Sequence, residues 1–364
     1  MGGLKKIIIS GGGSGGHIFP ALAIANALKR RHPNIDILFV GAEGKMEMEK
    51  IPLAGYKITG LKIAGFQRGK FVTNLSLPFK LFYSLLKAFF IVLKFKPQVA
   101  VGVGGYASGP LLFVASLLRV PTVIQEQNAV AGLTNKLLSK FADTICVAYD
   151  ELIAVYRGKH VVKTGNPIRK EILQLDVSKE DSLNYFGFNA DRKTVLIIGG
   201  SLGAKTLNES VKANLDLILS MNIQLIWQTG SFYFEQYKDV ASAHLNVKCV
   251  KFIDRMDYAY TAANVIISRA GALSIAELQV IGKPVIFIPS PNVTDDQQTR
   301  NVLSLEKAAA AIYINDKDAV STLFTTLKDL FNHSAQSESL SKNIKALEII
   351  DADERIADEI EKLV

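Results

Sequence analysis

Residues 7–23, IIISGGGSGGHIFPALA, place a glycine cluster and one histidine directly after a short apolar run. Gly11, Gly13 and Gly16 satisfy the pattern G-x-G-x-x-G, which between a strand and a helix is typical of phosphate binding. Glycine lets the backbone approach a ligand closely, and the free N–H groups of a helix start attract anions. The same pattern also fits a tight turn that binds nothing. His17 adds an imidazole, a side chain suited to accepting a proton.

Three further glycine-rich turns follow predicted strands: GVGGYASGP (102–110), GGSLGAK (199–205) and SRAGALSIAEL (268–278). Ser201 and the amides around it are placed to bind a diphosphate at a helix N-terminus. Glu277 lies in the first turns of the next helix, and one carboxylate can accept hydrogen bonds from both hydroxyls of a ribose. Taken alone, Glu277 is more typical of an acid on a helix surface.

The composition is that of a globular chain. Its 364 residues are 49% apolar, enough for two or three domains, and its net charge of +8 favours a nucleotide, nucleic acid or anionic lipid as partner. Cys146 and Cys249 lie in apolar runs and are predicted to be buried thiols in a reducing compartment. The sequence shows no Cys/His cluster at metal spacing, and we expect neither a signal peptide nor a membrane span.

Short β-branched runs alternate with helical stretches along most of the chain. This alternation predicts parallel sheets covered by helices, and the runs are nearly continuous in apolar residues because parallel strands are buried on both faces. Helices are expected between most strands, for example over 20–31, 109–118 and 130–141. Strands are predicted at 5–10, 36–41, 98–103, 121–127, 144–148, 194–200, 223–229, 247–253, 264–270 and 283–290.

The opening KKIIISGGGSGGH has an echo, KTVLIIGGSLGAK, at the start of the second half. Each copy predicts a strand, a glycine loop and a helix, so we expect two doubly wound, Rossmann-like α/β domains facing each other across a cleft. The segment TGNPIR (164–169) breaks both helix and strand and marks the joint. The expected domains are 1–166 and 167–347, with a last helix at about 348–364 packing back on the first domain.

Seven segments carry a resemblance to a known family: GGGSGGHIFPALA, GGYASGP, QEQNAVAGLTNKLL, GNPIR, GGSLGAKTLN, SRAGALSIAE and PSPNVTDDQQTRN. In order and spacing they resemble the MurG family, bacterial N-acetylglucosaminyltransferases that convert lipid I to lipid II in peptidoglycan synthesis. Ser14 stands where the family usually has Thr, and Gln297 where many members have His. The resemblance implies a GT-B fold, UDP-N-acetylglucosamine (UDP-GlcNAc) as donor, undecaprenyl-pyrophosphoryl-MurNAc-pentapeptide (lipid I) as acceptor, and no metal or cofactor.

The resemblance also implies a donor site carried mainly by the C-terminal domain. Arg169 and Ser201 would contact the diphosphate, Glu277 the ribose, Asn128 the sugar and Gln298 the sugar hydroxyls. The predicted donor-binding set is Ser14, Gly15, Gly16, Asn128, Arg169, Ser201, Ile253 (against the uracil), Ala272, Leu273, Ser274, Ile275, Ala276, Glu277, Gln297 and Gln298.

The implied reaction is attack of the acceptor's C4 hydroxyl on the anomeric carbon of the donor, with inversion and loss of UDP. A hydroxyl is a poor nucleophile, so a general base is expected. His17 is the first candidate, and Glu126 in QEQN is the rival. Tyr106 either orients a sugar hydroxyl or packs, and Gly104 and Gly105 beside it are predicted to contact the acceptor.

Residues 76–97, SLPFKLFYSLLKAFFIVLKFKP, predict a helix with a lysine stripe. The lysines recur every seven residues among aromatic side chains, including Phe90, which suits the interface of an anionic bilayer. The basic FQRGK (66–70) supports docking on inner-membrane lipids; the alternative is a solvated stripe on an ordinary helix. The lysines are Lys80, Lys87 and Lys94, and the side chains expected to pack inward are Phe82, Leu86, Phe89 and Leu93.

Three alternatives to the lipid I transferase stay open at this point. One is another UDP-sugar enzyme of the same fold, either a glycolipid glycosyltransferase or a UDP-GlcNAc 2-epimerase. A second is an NAD(P)-dependent oxidoreductase, in which Glu43 holds the ribose. The third, a non-enzymatic nucleotide- or nucleic-acid-binding protein, lacks a basic stripe with interleaved aromatics, so no nucleic acid is expected. A peripheral enzyme on the cytoplasmic membrane face, beside other cell-wall synthesis proteins, is the expected setting.

Overall fold

The computed structural model describes residues 3–63, 65 and 76–364, apart from the side chains at 241 and 294. The chain divides into two compact units: Met1–Ile168 together with Ile349–Val364 (the N-terminal unit), and Arg169–Glu348 (the C-terminal unit). The basic segment FQRGK (66–70) lies outside the described residues.

The N-terminal unit is built on a seven-stranded parallel sheet with the order β3-β2-β1-β4-β5-β6-β7. Alternate residues of its central strand face opposite layers: Ile7 and Ile9 pack in one core, and Ile8 packs in the other. The strands are β1 (Lys6–Ser10), β2 (Asp36–Ala42), β3 (Lys57–Leu61), β4 (Val99–Gly102), β5 (Thr122–Glu126), β6 (Thr144–Val147) and β7 (His160–Lys163). The helices are α1 (Gly15–Arg31), α2 (Glu47–Leu53), α3 (Leu77–Phe95), α4 (Ser108–Leu117), α5 (Leu133–Leu138) and α6 (Glu151–Val155).

The C-terminal unit is a six-stranded parallel sheet with the order β10-β9-β8-β11-β12-β13. Its strands are β8 (Lys193–Ile198), β9 (Ile223–Gln228), β10 (Val247–Val250), β11 (Val265–Ser268), β12 (Val285–Phe287) and β13 (Ile312–Tyr313). Its helices are α7 (Lys170–Leu173), α8 (Lys179–Phe186), α9 (Lys205–Ala213), α10 (Leu215–Ser220), α11 (Phe234–Ser242), α12 (Met256–Ala262), α13 (Ala272–Ile281), α14 (Gln297–Lys307), α15 (Ala319–Asn332) and α16 (Ser334–Lys345). The prediction of two doubly wound α/β sheets is confirmed.

Three strands were not predicted, and all three lie at sheet edges. β3 and β7 are the two edges of the first sheet, and β13 is one edge of the second. Their residues are partly exposed, as in the His160–Lys163 strand, where both ends reach solvent. An edge strand needs no continuous apolar run, so it lacks the signal that marks the central strands.

Helix α1 begins five residues before the predicted start at residue 20. The prediction was wrong because proline usually marks the first turn of a helix, whereas Pro20 lies inside this one. As a consequence His17 lies in the first turn of α1, directly after the glycine cluster.

Helix α3 does not bury the face that the lysine spacing predicted. Its buried side chains are Ser84, Ala88 and Val92. The residues expected to pack inward are exposed instead, with Phe82 at 64% and Phe89 at 38%. Leu86 and Leu93 are also exposed, and so is Phe90 on the lysine side. Ala88 and Val92 pack in the same core cluster as Ile8 of β1, and large apolar side chains elsewhere on α3 stay exposed.

A final helix, α17 (Ala352–Glu361), packs against α1 in the N-terminal unit. Arg30 pairs with Asp353, and Arg31 bonds Glu354 Oε2 at 2.7 Å. On the other side of the helix, His160 bonds Glu359 at 2.9 Å. Acidic side chains therefore hold the end of the chain on the basic end of α1.

Acidification is expected to loosen α17. Burial alone would raise the pKa of Glu354, but hydrogen bonds from Arg30 and Arg31 lower it below 4.5. A carboxyl with a depressed folded pKa stabilises the fold above its unfolded pKa, and this stabilisation is lost as pH falls through the folded pKa. As the pH decreases below 4.5, the amide protection factors of residues 352–361 should therefore decrease. Arg31→Gln should decrease them already at pH 7. Constant protection between pH 6 and pH 3 would contradict this view.

Candidate active site

Two glycine loops meet at the carboxyl ends of β1 and β4, which are neighbours in the sheet. The Gly12 N–H donates to the Gly104 carbonyl at 3.3 Å. Gly104 and Gly105 have φ values of 99° and 91°, which favour glycine, and a Cβ at Gly104 would lie 2.7 Å from the His17 ring. The second loop thus lies directly against the imidazole that the first loop presents.

The hydrogen bond of His17 defines which ring nitrogen is free. Nδ1 lies 2.9 Å from the carbonyl oxygen of Gly12. Because a carbonyl only accepts, Nδ1 must carry the proton in this contact, and Nε2 of the neutral ring is then the proton acceptor. This arrangement suits a general base whose orientation is set by the backbone.

The first glycine loop already binds the carboxylate of a side chain, Glu47. The Gly13 N–H donates to Glu47 Oε2 at 2.9 Å, and Glu47 is 1% exposed. The next amides, those of Ser14, Gly15 and Gly16, begin α1, and Ser14 makes no side-chain cap bond there. Anion binding by residues 14–16 stays a prediction, but the amide at Gly13 is already satisfied.

Glu126, the rival base, is a buried anchor of the loop that follows β5. Its Oε1 accepts the Asn128 N–H at 3.1 Å, and its Oε2 accepts the Gly132 N–H at 3.0 Å and the Asn135 amide at 2.9 Å. The side chain is only 2% exposed. Both oxygens already accept hydrogen bonds, so this geometry favours a role in positioning Asn128 over proton abstraction.

Tyr106 is half-exposed beside an apolar groove in the N-terminal unit. The groove has a volume of about 360 Å³ and lies between α3, α4 and α5. The ring covers the Cα of Gly65 so closely that a Cβ there would overlap it. Its packing is therefore visible in the structure, whereas the orientation of a sugar hydroxyl stays a prediction. The groove is lined by Ile63, Leu81, Leu85, Tyr106, Gly109, Pro110, Phe113, Thr134, Leu137, Leu138 and Phe141.

In the C-terminal unit, two predicted donor residues pair with each other. Arg169 Nε and Nη2 bond Glu277 Oε1 and Oε2 at 2.8 Å and 3.0 Å. The Tyr260 hydroxyl donates to Glu277 Oε2 at 3.2 Å. Complete burial, together with the Glu277 charge, raises the pKa of Tyr260 well above its usual value, so the phenol stays a donor.

The other predicted donor residues of this unit differ in accessibility. Ser201 is exposed on the loop before α9. Ile253 and Ile275 are buried core residues at 4% and 1% exposure, so any ligand contact of theirs would come from the main chain. Gln298 Oε1 accepts the Ser290 N–H at 2.8 Å. The partly buried members of the set are Leu273, Ser274, Ala276, Gln297 and Gln298, and Ala272 is buried.

Within the described part of the chain, no group of three or more His, Cys, Asp or Glu side chains is placed to hold a metal ion. Over the same residues, no helix is long and apolar enough to cross a membrane. Cys146 is buried as predicted, and burial raises the pKa of its thiol to about 12. Cys249 is only partly buried, contrary to the prediction.

Residues 7–147 match the N-terminal domain of glycosyltransferase family 28, and residues 194–356 match its C-terminal domain. A Flavobacterium psychrophilum protein is 51% identical over 359 residues, covering 99% of this chain and 98% of the relative. It is named UDP-N-acetylglucosamine--N-acetylmuramyl-(pentapeptide) pyrophosphoryl-undecaprenol N-acetylglucosamine transferase, as is a Parabacteroides distasonis protein at 48% identity over 99% and 98% of the two chains. The crystal structure of Acinetobacter baumannii MurG superposes with a TM-score of 0.80 at 28% identity, covering 98% and 99% of the chains. The chain belongs to the MurG family.

As a MurG-family member the chain is a glycosyltransferase, and the resemblance seen in the sequence is confirmed. The oxidoreductase and non-enzymatic alternatives are wrong. Glu43, which the oxidoreductase alternative required for a ribose, forms an ion pair with Lys87 at 2.9 Å. An S. aureus MnaA–UDP structure, 16% identical over 99% and 98% of the chains with a TM-score of 0.70, shares the fold.

Two residues that contact predicted site residues were not identified from the sequence. Glu47 lies in MEMEK, a run of ordinary helix-surface character, yet its carboxylate is buried under the first glycine loop. Tyr260 reaches Glu277 from a different helix. Neither position has a spacing signal, because the contacts join segments that only the sheet topology brings together.

Proposed function

We propose that the chain transfers GlcNAc from UDP-GlcNAc to the C4 hydroxyl of MurNAc in lipid I, with inversion at the anomeric carbon, to form lipid II. The observation that carries the catalytic part is the hydrogen bond from His17 Nδ1 to the Gly12 carbonyl, which leaves Nε2 as proton acceptor. In the reaction Nε2 takes the hydroxyl proton, the acceptor oxygen bonds to the anomeric carbon, and UDP leaves with the electron pair of the broken bond.

The nucleotide is assigned to the C-terminal unit. Arg169 and Glu277 supply a cation and a carboxylate at one place, and they offer a diphosphate and a ribose the complementary charge and hydrogen bonds. Arg169 and Glu277 bond to each other, and in this proposal UDP binding replaces that ion pair by contacts of each side chain with the nucleotide. The exposed loop with Ser201, before α9, adds backbone amides for the diphosphate.

The activity is tested by incubating the protein with radiolabelled UDP-GlcNAc and a lipid I analogue in excess EDTA. Transfer of label to the analogue and stoichiometric release of UDP are expected, since Arg169 and backbone amides stabilise the leaving diphosphate. A parallel incubation with UDP-GlcNAc alone detects conversion to a 2-epimer. Epimerisation without transfer would favour the epimerase alternative, and restoration of transfer only by added divalent metal would refute metal-independent departure of UDP.

Membrane docking is assigned to the exposed surface of α3. Phe79 is 79% and Phe90 66% exposed, so α3 presents several large apolar side chains to solvent. Lys80 and Lys94 form no ion pair with other described residues, whereas Lys87 is engaged by Glu43. Aromatic side chains with nearby lysines suit the interface of an anionic bilayer. We therefore place the enzyme on the cytoplasmic face of the plasma membrane, where its lipid acceptor is anchored.

Lys80→Gln and Lys94→Gln are each expected to weaken binding to phosphatidylglycerol vesicles by about 1 kcal/mol. The matched control is Lys87→Gln, which should have a smaller effect because Glu43 already neutralises that lysine. Vesicle co-sedimentation measures binding, and turnover of a water-soluble acceptor should persist in all three variants. Equal losses for the three lysines would contradict the assigned surface, as would unchanged binding after Phe82→Ser with Phe90→Ser.

A further inference from the structure

The peptide unit between Gly12 and Gly13 forms hydrogen bonds with two side chains, those of His17 and Glu47. Its carbonyl, that of Gly12, accepts the bond from His17 Nδ1 at 2.9 Å. Its N–H, that of Gly13, donates to Glu47 Oε2 at 2.9 Å. Carbonyl and N–H belong to one planar amide, so carboxylate, peptide and imidazole form a continuous hydrogen-bonded chain.

The surroundings of Glu47 are shaped around its carboxylate. The second oxygen, Oε1, accepts the Ala42 N–H at 3.0 Å. A Cβ at Gly12 would overlap the carboxylate, and one at Gly41 would lie 2.6 Å from Glu47 Cγ. Within the described residues no cation pairs with this 1%-exposed acid, so backbone donors alone compensate its charge. Burial of a carboxylate without a countercharge costs free energy. This cost indicates that Glu47 has a functional role.

We propose that Glu47 is a positioning residue that acts on His17 through the Gly12–Gly13 peptide. The inference rests on the proposed function, in which His17 Nε2 is the base. An anionic acceptor strengthens the hydrogen bond from the Gly13 N–H and polarises the amide, so that the Gly12 carbonyl becomes a better acceptor for Nδ1–H. Glu47 thereby keeps the proton of the resting ring on Nδ1 and stabilises the imidazolium formed when Nε2 takes the hydroxyl proton. A triad carboxylate does the same by direct contact.

The kinetic test is Glu47→Gln, which keeps the size of the side chain and removes the charge. We expect kcat for GlcNAc transfer to fall roughly tenfold to hundredfold, the range found for hydrogen-bonding groups that orient metal-bound histidines, with the donor KM unchanged. Glu49→Gln is the matched control, because Glu49 is exposed on the same helix and its loss should leave kcat unaltered. A rise in donor KM with kcat unchanged would overturn the proposal.

A double-mutant comparison separates the effect of Glu47 on His17 from a general loosening of the glycine loop. In a His17→Asn background, Glu47→Gln should cause no further loss of kcat, because the effect passes through the imidazole. A full additional loss would overturn the inference.

The ring itself gives a readout that does not depend on activity. Nitrogen-15 spectra of histidine-labelled wild-type protein, assigned with His17→Asn, should show the neutral His17 ring protonated at Nδ1. Glu47→Gln should shift it toward the Nε2-protonated tautomer. A wild-type ring protonated at Nε2 would refute the relay even if Glu47→Gln does not fold. A wild-type protein that shows the Nδ1 tautomer but transfers no GlcNAc would refute the proposed function instead.

Discussion

Replacement of His17 by Ala is expected to lower kcat about 10²–10⁴-fold, the range of a positioned general base. The physical reason lies in the hydrogen bond of Nδ1 to the Gly12 carbonyl, which turns Nε2 into the nitrogen that receives the acceptor proton. UDP affinity, measured by calorimetry, should change little, since Arg169 and Glu277 belong to the other unit. Loss of UDP binding in this variant would contradict the assignment of the nucleotide to the C-terminal unit.

His17→Asn separates proton transfer from hydrogen bonding. The amide of Asn can still donate to the Gly12 carbonyl, but it cannot take up a proton. Its kcat should be as low as that of His17→Ala. Near-normal turnover in His17→Asn would place the base elsewhere.

Glu126→Gln is the comparison variant for His17. Its amide cannot accept hydrogen bonds at both ends, so the loop that carries Asn128 should loosen. We therefore expect a higher donor KM rather than a collapse of kcat. A collapse of kcat with an unchanged donor KM would instead favour Glu126 as the base.

The central strands of both sheets could be predicted because their residues are apolar on both faces. Val195 to Ile197 in β8 and Val265 to Ile267 in β11 are fully or almost fully buried, and buried runs of this kind are visible in a sequence. Three of the four edge strands, β3, β7 and β13, could not be predicted, because they are partly exposed and an edge strand requires no continuous apolar run. The order of the strands within each sheet could not be predicted either. The sequence shows how long each connection between strands is, but not to which side of the growing sheet it leads.

Helix α3 shows the limit of periodicity when a helix is apolar nearly all round. Lys80, Lys87 and Lys94 suggested that the opposite side packs inward. The structure instead buries Ser84 and Ala88, small residues that allow close approach to the neighbouring layer. The hydropathy pattern could not identify this buried face, because α3 carries apolar residues nearly all round and only the lysines marked one side.

The glycine loops could be located from the sequence, but their partners could not. Gly12 and Gly104 mark where the backbone must come close, and both prove to lie against a side chain. The partner of Gly12 is Glu47, which lies 34 residues further along the chain from Gly13. Likewise Arg169 and Glu277, assigned separately to a diphosphate and a ribose, pair across 108 residues. Such contacts depend on which loops the parallel sheets bring to one edge.

The second large expected effect is a loss of UDP-GlcNAc affinity when Glu277, the partner of Arg169, is replaced. Glu277→Ala removes a carboxylate that is 12% exposed and leaves Arg169 and the Tyr260 hydroxyl without their shared acceptor. Loss of a charge-assisted hydrogen-bond partner costs ~1.5–3 kcal/mol, so UDP-GlcNAc affinity should fall roughly 10- to 150-fold. The kcat at saturating donor should change much less, because the ribose contact is the same in the ground state and in the transition state. A fall in kcat with unchanged donor KM would contradict the ribose assignment.

The ribose assignment is isolated by varying nucleotide and protein together. Wild-type protein should bind UDP more tightly than 2′,3′-dideoxy-UDP, and Glu277→Ala should bind the two nucleotides alike, since the hydroxyls have then lost their acceptor. Glu171→Ala is the matched control: Glu171 is an exposed acid near Arg169, and among the described residues it forms no hydrogen bond with that guanidinium, so this variant should keep the preference for UDP. If Glu277→Ala still discriminates between the nucleotides, Glu277 acts by holding Arg169 in place for the diphosphate. In that case Arg169→Lys, which cannot reproduce the two-pronged contact, should weaken UDP and dideoxy-UDP equally.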